Sequence, residues 1–281
     1  MNRAARGQAV QAVFLSACEL DVTALKPGNV RRAKPAHGMS AEDFIASARA
    51  CAPDLCVAGA PTGERVLKAI LSTRRVVRCN TNLGIVLLAA PLARAAIEDG
   101  DLRATLAGQL AALDRQDAVQ VYQAIRLAQP GGLGHADQHD VAAEPTVTLL
   151  EAMAAAAARD SIARQYVQAF RDVFEVGLPQ WHADLARFGS ETWAATGVFL
   201  AYLSRWPDSL IERKFGTATA QAVSDRASLL HSHWRSYRHS GDIEPALLNW
   251  DEELRAAGLN PGTSADLTVA TAFAAKLMQA V

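Results

Sequence analysis

The chain has 281 residues, half of them hydrophobic and only 6% aromatic, which indicates a core built largely from Ala, Leu and Val. Its formal net charge of -1 leaves no excess of cations to neutralise a nucleic-acid backbone or to bind an anionic membrane surface. We therefore expect small molecules or further copies of the chain as partners, and neither nucleic acid nor membrane.

Apolar residues recur at helical spacing in the first half of the chain. The first helix is indicated by one apolar face from Val10 to Cys18, and it ends before the stop signal Pro27-Gly28. Ser40 is predicted to cap the next helix, with Asp43 at a capping-box position that usually holds Glu or Gln. Further helices of this half are predicted at 41–51, 63–73, 82–97, 101–112 and 115–127.

A break is predicted at 129–134, where Gln-Pro-Gly-Gly-Leu-Gly opens a polar loop that runs to Pro145. Neither a repeat nor a Ser/Gly-rich linker divides the chain, and no alternating β-branched segment indicates a strand. The sequence therefore predicts an all-α fold with a single globular multi-helix domain over residues 1–281. Helices beyond the loop are predicted at 146–158, 160–176, 179–187, 190–205, 216–238, 245–257 and 263–280.

The four cysteines form no C-x-x-C pair and fit no zinc-site spacing, so we interpret them as buried free thiols. No continuous apolar run follows the charged N-terminus, so a signal peptide is not predicted. The longest apolar stretch, 83–93, is about half of the roughly 20 residues that a membrane-spanning helix needs, and we interpret it as a core helix. These features favour a cytoplasmic location, where thiols stay reduced.

Cations flank the turn that follows the first helix. Pro27-Gly28 fixes a sharp turn beside Lys26, Asn29, Arg31 and Arg32, a combination that can bind phosphate oxygens. The alternative is a helix stop whose cations complement the helix dipole. Spacing alone favours this alternative.

Three polar residues in a row, Asn80, Thr81 and Asn82, precede Gly84 at the start of the most apolar helix. An ordinary N-cap accounts for Thr81 or Asn82 but not for all three. Because a helix N-terminus near arginines such as Arg78 attracts anions, this segment is predicted to bind an anionic group.

The glycine-rich loop at 131–140 is the third candidate. Gly132 and Gly134 permit close backbone approach, and Asp137 and Asp140 are carboxylates of the kind that Mg²⁺ prefers. The G-K-[ST] ending of a Walker loop is missing. The two histidines of the loop lack partners that would complete a zinc site, and we interpret them as solvated.

Two turns near the C-terminus are mainly structural when taken singly. Asp208 or Ser209 is predicted to cap a helix that carries Arg213 and Lys214. Asp266 is predicted to lie in the first turn of the last helix, where the dipole favours an acidic side chain.

Two further groups are interpreted as structural. Asp160 and Arg164 have the spacing of an i, i+4 ion pair. His231, His233 and His239 are predicted to lie on an exposed or half-buried face, and not to form a metal site.

Taken together, these segments resemble the triphosphoribosyl-dephospho-coenzyme A synthase family over essentially the whole chain. The resemblance implies a helical enzyme that uses ATP, displaces adenine from the ribose and joins the triphosphoribosyl group to dephospho-coenzyme A. The segments that carry it, in order and spacing, are Lys26-Pro27-Gly28, Asn80-Thr81 before Gly84, Asp208-Ser209 with Arg213, and Asn260-Pro261-Gly262 with Ser264-Ala265-Asp266.

The chain departs from the family at three places. Arg31 stands where the family has Asp, Gly38-Met39 follow His37 where an acidic residue is expected, and Asn82-Leu83 replace a His and a Lys. These forms look like a side branch of methanogens and methylotrophs that is associated with one-carbon carriers such as tetrahydromethanopterin and methanofuran. The resemblance therefore also allows a precursor of such a cofactor as the acceptor.

The resemblance and the residue types together give a hypothesis for each role. By analogy with glycoside cleavage, adenine displacement passes through an oxocarbenium-like state and needs cations, carboxylates and a base. Catalytic candidates are Asp208, Asp266 and Asp140, and the candidate ligands of Mg²⁺ are Asp137, Asp140, Asp208 and Asp266. Candidates for nucleotide binding are Lys26, Gly28, Asn29, Arg31, Arg78, Asn80, Thr81, Asn82, Gly84, Gly132, Gly134, Arg213, Lys214, Asn260, Gly262 and Ser264.

Two other functional classes stay open at this level. Helical ADP-ribosyl hydrolases also cleave N-glycosidic bonds with magnesium held by aspartates, so a hydrolase is the nearest competitor. The second is a non-catalytic helical binding protein, which the missing His and Lys at Asn82-Leu83 support. A homodimer is the default expectation for a chain so rich in apolar helices.

Overall fold

Ala- and Leu-rich segments form α-helices along the part of the chain that the computed structural model describes, residues 2–237 and 239–280. Apart from two isolated bridges within 31–39, no strand occurs in these residues, so the predicted all-α fold is confirmed. The helices are α1 Arg3–Thr23, α2 Ala41–Leu55, α3 Thr62–Val76, α4 Leu83–Ile97, α5 Leu102–Ala111, α6 Arg115–Ala128, α7 Leu149–Ala156, α8 Ser161–Val167, α9 Leu178–Phe188, α10 Glu191–Arg205, α11 Ser209–Phe215, α12 Thr217–Trp234, α13 Glu244–Ala256 and α14 Gly262–Ala280.

The start of α2 shows why local sequence predicts most of these helices. Ser40 Oγ accepts a hydrogen bond from the Asp43 N–H at 3.2 Å, and the Asp43 carboxylate accepts one from the Ser40 N–H at 2.8 Å. The capping box is therefore complete, although Asp replaces the usual Glu or Gln. Most other predicted helices are found with ends shifted by a few residues.

The helix predicted over 160–176 is wrong as a continuous element, because α8 ends at Val167. Ala169 and Phe170 follow with left-handed φ angles of 47° and 58°. The break brings the buried ring of Phe170 to 6.0 Å from that of Tyr166. Burial of two aromatic rings, about 1.5–3 kcal/mol each, offsets the roughly 1–2 kcal/mol that each left-handed residue costs.

The helix predicted over 216–238 ends earlier in the structure, at Trp234. Arg238, the last residue of that prediction, lies outside the described residues. The carbonyl of Trp234 accepts a hydrogen bond from Arg187 at 2.7 Å, and its indole N–H donates to Asp184 at 2.9 Å. These contacts with α9 satisfy a terminal carbonyl and fix where α12 ends.

Two groups of buried side chains form the core, and α10 and α14 contribute to both. Helix α4 lies in the larger group, and only Gly84 and Arg94 among its residues are not buried. The predicted core helix is therefore confirmed. In the described part of the chain, no helix combines the length and the apolar character that crossing a membrane requires.

All four cysteines are free thiols. Cys18, Cys51 and Cys56 are buried, which confirms the prediction for these three, whereas Cys79 is half-buried. Burial raises the pKa of Cys51 and of Cys56 to about 12, so both stay protonated at neutral pH.

The N-terminal ends of α4, α8, α11 and α14 meet on one side of the molecule. A Cβ atom added at Gly84, in the first turn of α4, would lie 2.6 Å from Asp266 Cγ of α14 and 2.9 Å from Ile162 Cδ1 of α8. The Ser161 N–H at the start of α8 donates to Ser209 Oγ at the start of α11, at 3.3 Å. Residues from four helices that are far apart in the sequence are thereby brought together in one region.

Candidate active site

A cavity of about 660 Å³ opens where these four helix ends meet. This volume lies within the roughly 300–1,000 Å³ that is typical of small-molecule sites. Its apolar lining residues include Leu87, Val121, Ile125, Leu149 and Met153. Its polar lining residues include Asn80, Arg159, Asp160, Arg213, Lys214, Asn260 and Asp266.

The cavity brings together nine of the predicted site residues, which come from segments far apart in the sequence. They are Asn80, Gly84, Gly132, Gly134, Asp140, Arg213, Lys214, Asn260 and Asp266. The other predicted residues do not line the cavity. They are Lys26, Gly28, Asn29, Arg31, Arg78, Thr81, Asn82, Asp137, Asp208, Gly262 and Ser264.

Asp266 is the half-buried carboxylate of the cavity wall, and no hydrogen bond from another described residue reaches it. Burial raises its pKa well above the usual value for Asp; the carboxylate of Asp21 adds to the rise and the ammonium of Lys26 opposes it. The predicted first-turn position is wrong, because α14 begins at Gly262 and Asp266 lies in the second turn. The helix dipole favours acidic side chains in the first turn, so it does not explain an Asp at position 266.

Lys26 lies behind the cavity wall. Its side chain is completely buried and forms an ion pair with the buried carboxylate of Asp21 on α1. The charges of both residues act on Asp266. The ammonium group of Lys26 is therefore buried behind the cavity wall, and none of the side chain is exposed to bind a phosphate.

The turn after α1 is anchored to α13 by one buried carboxylate. Asp251 accepts hydrogen bonds from the Gly28 N–H at 2.8 Å, from Arg31 at 2.7 Å and from Arg255 at 2.8 Å. Gly28 has a φ of 80°, and a Cβ atom there would lie 2.8 Å from the carbonyl oxygen of Leu259. Arg31 is thus committed to an ion pair, and the turn has a structural role.

Asn29 supports a cavity residue from behind. Its Nδ2 donates to Oδ1 of Asn260 at 2.9 Å, which fixes the orientation of the Asn260 amide in the cavity wall. Asn29 itself is buried.

The three polar residues before α4 point in different directions. Asn80 Oδ1 accepts the Leu83 N–H at 3.1 Å, while the Thr81 hydroxyl contacts that of Ser47 and Asn82 Nδ2 donates to Thr73. Asn82 is the N-cap residue of α4, as predicted, but its side chain makes no capping hydrogen bond, and the bond to the Leu83 N–H comes from Asn80. Only Asn80 of the three faces the cavity, and Arg78 is exposed outside it.

The glycine-rich loop folds against α11. The Gly131 carbonyl accepts a hydrogen bond from Arg213 Nε at 3.3 Å, and a Cβ atom at Gly132 would lie 3.0 Å from Lys214 Cγ. Gly132 also has a φ of 72°, which favours glycine. The loop and the two cations thereby form one edge of the cavity.

The two loop aspartates differ in their surroundings. Asp140 accepts hydrogen bonds from the N–H groups of Ala136 at 2.6 Å and Ala142 at 2.7 Å and from His135 at 2.7 Å. The N–H groups, with His135, lower its pKa to about 2, so Asp140 organises the loop as an anion. Asp137 is exposed and lies outside the cavity lining.

Asp208 is 2% exposed and caps α11 as predicted. Its carboxylate accepts hydrogen bonds from the N–H groups of Leu210 and Ile211 and from both the N–H and the hydroxyl of Ser264. Gly262 permits the close approach of α14, because a Cβ atom there would lie 2.7 Å from Leu210 Cδ2. These contacts make Asp208, Gly262 and Ser264 parts of the helix junction behind the cavity.

Asp160 is a cavity residue that sequence reasoning missed. The predicted Asp160–Arg164 pair is wrong, because Arg164 Nε donates to Asp172 at 3.1 Å and Asp160 lies 3.5 Å from Arg213. Asp160 Oδ1 caps α8 by accepting from Ile162 and Ala163, and the residue lines the cavity. An N-cap signal was present in the sequence after the Ala-rich run, but its position beside Arg213 depends on tertiary packing.

The cavity residues can hold Mg²⁺ only if a bound substrate supplies further oxygen ligands to the ion. Within residues 2–237 and 239–280, no group of three or more His, Cys, Asp or Glu side chains is placed to hold a metal ion. His231 is half-buried and His233 and His239 are exposed, in line with their prediction. Because Mg²⁺ commonly uses one or two carboxylates together with substrate phosphates, Asp160 and Asp266 in one cavity fit such an ion.

The sequence from residue 7 to residue 281 matches the family model of ATP:dephospho-CoA triphosphoribosyl transferase. The chain belongs to this family. The protein is therefore an enzyme, a transferase, and the predicted family is confirmed. None of the curated proteins matches the sequence at a significant level.

A solved structure resembles the transferase over most of its length. It is the crystal structure of a protein from Archaeoglobus fulgidus that is provisionally described as a triphosphoribosyl-dephospho-coA synthase. The two sequences are 26% identical, with a TM-score of 0.64, and the match covers 83% of this chain and 97% of the other.

Proposed function

We propose that the transferase displaces adenine from ATP and joins the triphosphoribosyl group to dephospho-coenzyme A. Membership of the family and the likeness to the Archaeoglobus protein support this reaction. The observation that carries the proposal is that two carboxylates, Asp160 and Asp266, and three cations, Arg159, Arg213 and Lys214, line one cavity.

The cations supply the binding of the triphosphate. Guanidinium groups bind phosphate oxygens through paired hydrogen bonds, and an ammonium group adds a point charge. Arg159, Arg213 and Lys214 line the cavity together with Asn80 and Gly84. We assign the triphosphate to these cations and the adenine to the apolar residues of the lining.

Asp266 is assigned as the base. It removes the proton from the acceptor hydroxyl, whose oxygen then bonds to the anomeric carbon of ATP while the bond from that carbon to the adenine nitrogen breaks. The electron pair of the broken bond leaves with adenine, which takes up a proton. The raised pKa of Asp266 makes it a stronger base than an ordinary carboxylate, and its charge stabilises an oxocarbenium-like state.

Asp160 is assigned as the protein ligand of Mg²⁺. Its Oδ1 is occupied by the cap of α8, at 2.8 Å from the Ile162 N–H and 3.1 Å from the Ala163 N–H. Its Oδ2 has only a long contact of 3.5 Å to Arg213 and can therefore coordinate a cation. When bound, the ion neutralises part of the charge on the triphosphate.

Product analysis tests the proposal. The protein is incubated with ATP, Mg²⁺ and dephospho-coenzyme A, adenine is measured by chromatography, and the conjugate is measured by mass spectrometry. Equal amounts of adenine and triphosphoribosylated acceptor are expected. Free ribose triphosphate without a conjugate would indicate a hydrolase, and no adenine release would indicate a binding protein; either result contradicts the proposal.

The same assay decides the acceptor. The family supports dephospho-coenzyme A as the acceptor. Among the departures from the family, Arg31 and Asn82 lie outside the cavity lining, whereas Met39 and Leu83 line it, so the acceptor needs a direct comparison. A precursor of a one-carbon carrier cofactor is supplied as the competing acceptor. Preferential conjugation of that precursor would reject the proposed acceptor while leaving adenine transfer intact.

A further inference from the structure

The short helix α11 carries two of the cavity cations but cannot fix its own position. It has seven residues, and its last turn supplies Arg213 and Lys214 to the cavity. Isolated helices shorter than about 12–15 residues are marginal in water. Tertiary contacts must therefore set where these cations lie relative to Asp266 on α14.

One carboxylate caps α11 and α14 at the same time. Oδ1 of Asp208 accepts the N–H groups of Leu210 and Ile211, at 3.0 and 3.2 Å, within α11. Oδ2 accepts the N–H and the hydroxyl of Ser264, both at 2.8 Å, in the first turn of α14. Since Ser264 lies two residues before Asp266, Asp208 couples the start of α11 to the part of α14 that faces the cavity.

Ser209 extends the junction to a third helix. Its hydroxyl donates to Thr263 Oγ1 at 3.2 Å and accepts the Ser161 N–H at 3.3 Å. Ser161 follows Asp160, another carboxylate of the cavity lining. Buried hydrogen bonds therefore join the start of α11 to the start of α8, which follows Asp160, and to the first turn of α14, which precedes Asp266.

We propose that Asp208 is a positioning residue, which holds Arg213 and Lys214 in the correct relation to Asp266. Asp208 is 2% exposed, lies outside the cavity lining and accepts four hydrogen bonds, so it acts through its partners and not on the substrate. This role rests on the proposed function of the cavity. It replaces the sequence-based prediction of Asp208 as a metal ligand or catalytic base.

The Asp208→Asn variant is the direct test. An amide has one acceptor oxygen, so it can cap α11 or accept from Ser264 but not both, and its NH₂ group then faces another donor. We expect kcat for adenine release to fall about 100-fold, the scale of loss for a misplacement of about 1 Å. An unchanged kcat would overturn the proposal.

Asp184→Asn is the matched control. Asp184 is also 2% exposed and accepts buried hydrogen bonds, from Trp234 at 2.9 Å and from Gln180 at 2.7 Å, but it is remote from the cavity lining. We expect both substitutions to lower the urea concentration at the midpoint of unfolding. Only Asp208→Asn is expected to lower kcat. A comparable loss of kcat in Asp184→Asn would show a general effect of stability and reject positioning.

The response to Mg²⁺ separates positioning from metal binding. In Asp208→Asn, the Mg²⁺ concentration for half-maximal activity stays at the wild-type value if Asp208 acts through the helices. Recovery of activity at high Mg²⁺ would identify Asp208 as a ligand instead. If Asp208→Asn does not fold, Ser264→Ala, which removes one of the four hydrogen bonds, decides the question: a smaller loss of kcat supports the proposal and no loss overturns it.

A crystal structure of Asp208→Asn tests the geometry without any assay. The Cα atoms of Arg213 and Lys214 are expected to shift relative to that of Asp266, and unmoved positions would reject the proposal. Failure of the wild-type protein to release adenine would reject the proposed function, whereas this comparison would still decide whether Asp208 positions α11.

Discussion

At the scale of single residues, the protonation of Asp266 decides the chemistry. The carboxylate faces the cavity without a hydrogen bond from the described residues, and the buried Asp21–Lys26 pair lies behind it. Burial raises its pKa, the carboxylates of Asp21, Asp208 and Asp160 add to the rise, and the ammonium of Lys26 opposes it. The site therefore contains a carboxylate poised to gain a proton, which is the property that a general base needs.

Asp266→Asn removes the proposed base with little change of shape. We expect kcat/KM for adenine transfer to fall by about 10²–10⁴-fold, the usual contribution of general base catalysis. In the wild-type protein, kcat/KM falls as the pH falls through the pKa of Asp266, because the protonated carboxyl cannot accept a proton. Asp137→Asn, at an exposed position outside the cavity, is the control and keeps wild-type rates. Equal activity of the two variants would remove Asp266 from catalysis.

The same substitution is expected to stabilise the fold at neutral pH. The folded-state pKa of Asp266 lies above its unfolded value of about 3.9. The free energy of unfolding therefore has its full contribution from the protonated Asp266 below about pH 4. This contribution is lost as the pH rises through the folded-state pKa, because the buried carboxyl must then ionise. Urea unfolding should therefore show Asp266→Asn and wild type nearly equal at pH 4, with the advantage of the variant growing toward pH 7. If the difference in unfolding free energy between the variant and wild type did not change with pH, the raised pKa of Asp266 would be contradicted.

At the scale of secondary-structure elements, the site depends on how closely helix ends approach. Gly84 allows the first turn of α4 to lie against Asp266 and Ile162, where any side chain would collide. The N-terminus of a long helix thereby reaches the cavity, and its dipole can act on a bound anion. Glycine costs helix stability at this position, so close approach is the reason for its presence.

Gly84→Ala tests this contact. The added Cβ atom would lie 2.6 Å from Asp266 Cγ and must displace the carboxylate, so we expect kcat/KM to fall about 100-fold. Gly108→Ala in α5 is the matched control, because nothing lies within 4 Å of the added atom. The control should keep full activity and gain about 0.5–1 kcal/mol in the free energy of unfolding. Full activity of Gly84→Ala would show that the close approach is not needed.

At the scale of the whole molecule, one buried carboxylate ties the turn after α1, near the start of the chain, to α13, near its end. Asp251 on α13 holds Gly28 and Arg31, and Arg255 one turn later holds the carbonyl of Pro35 at 2.9 Å. These contacts place Asn29 against Asn260 and complete one side of the cavity. A homodimer and a cytoplasmic location stay predictions at this scale.

Asp251→Asn is expected to lower the free energy of unfolding by about 3 kcal/mol, the lower end for a broken buried ion pair, because both arginines keep some exposure. The neighbouring Glu252→Gln is the control, since the Glu252 side chain is 72% exposed and lies 3.4 Å from Lys34. A change of about 0.5 kcal/mol or less is expected there. Denaturant unfolding measures both, and equal losses would contradict the special role of Asp251.

The amino-acid sequence by itself determined most of the helices, the family and a minority of the polar residues that line the cavity. Local signals such as the Ser40–Asp43 capping box and the apolar run of α4 specify helices through contacts within a few residues. Those signals fail at Ala169 and Phe170, where burial of aromatic rings interrupts a helical pattern.

Only the tertiary structure decided which polar residues face the cavity and which lie behind it. Lys26, Arg31 and Asp208 have the residue types of a phosphate or metal site, yet each is committed to buried partners. Asp160 has the signature of an ordinary cap, yet it lines the cavity beside Arg213. The physical reason is that a charge is used for binding only if no buried partner satisfies it, and those partners lie up to 220 residues away in the sequence.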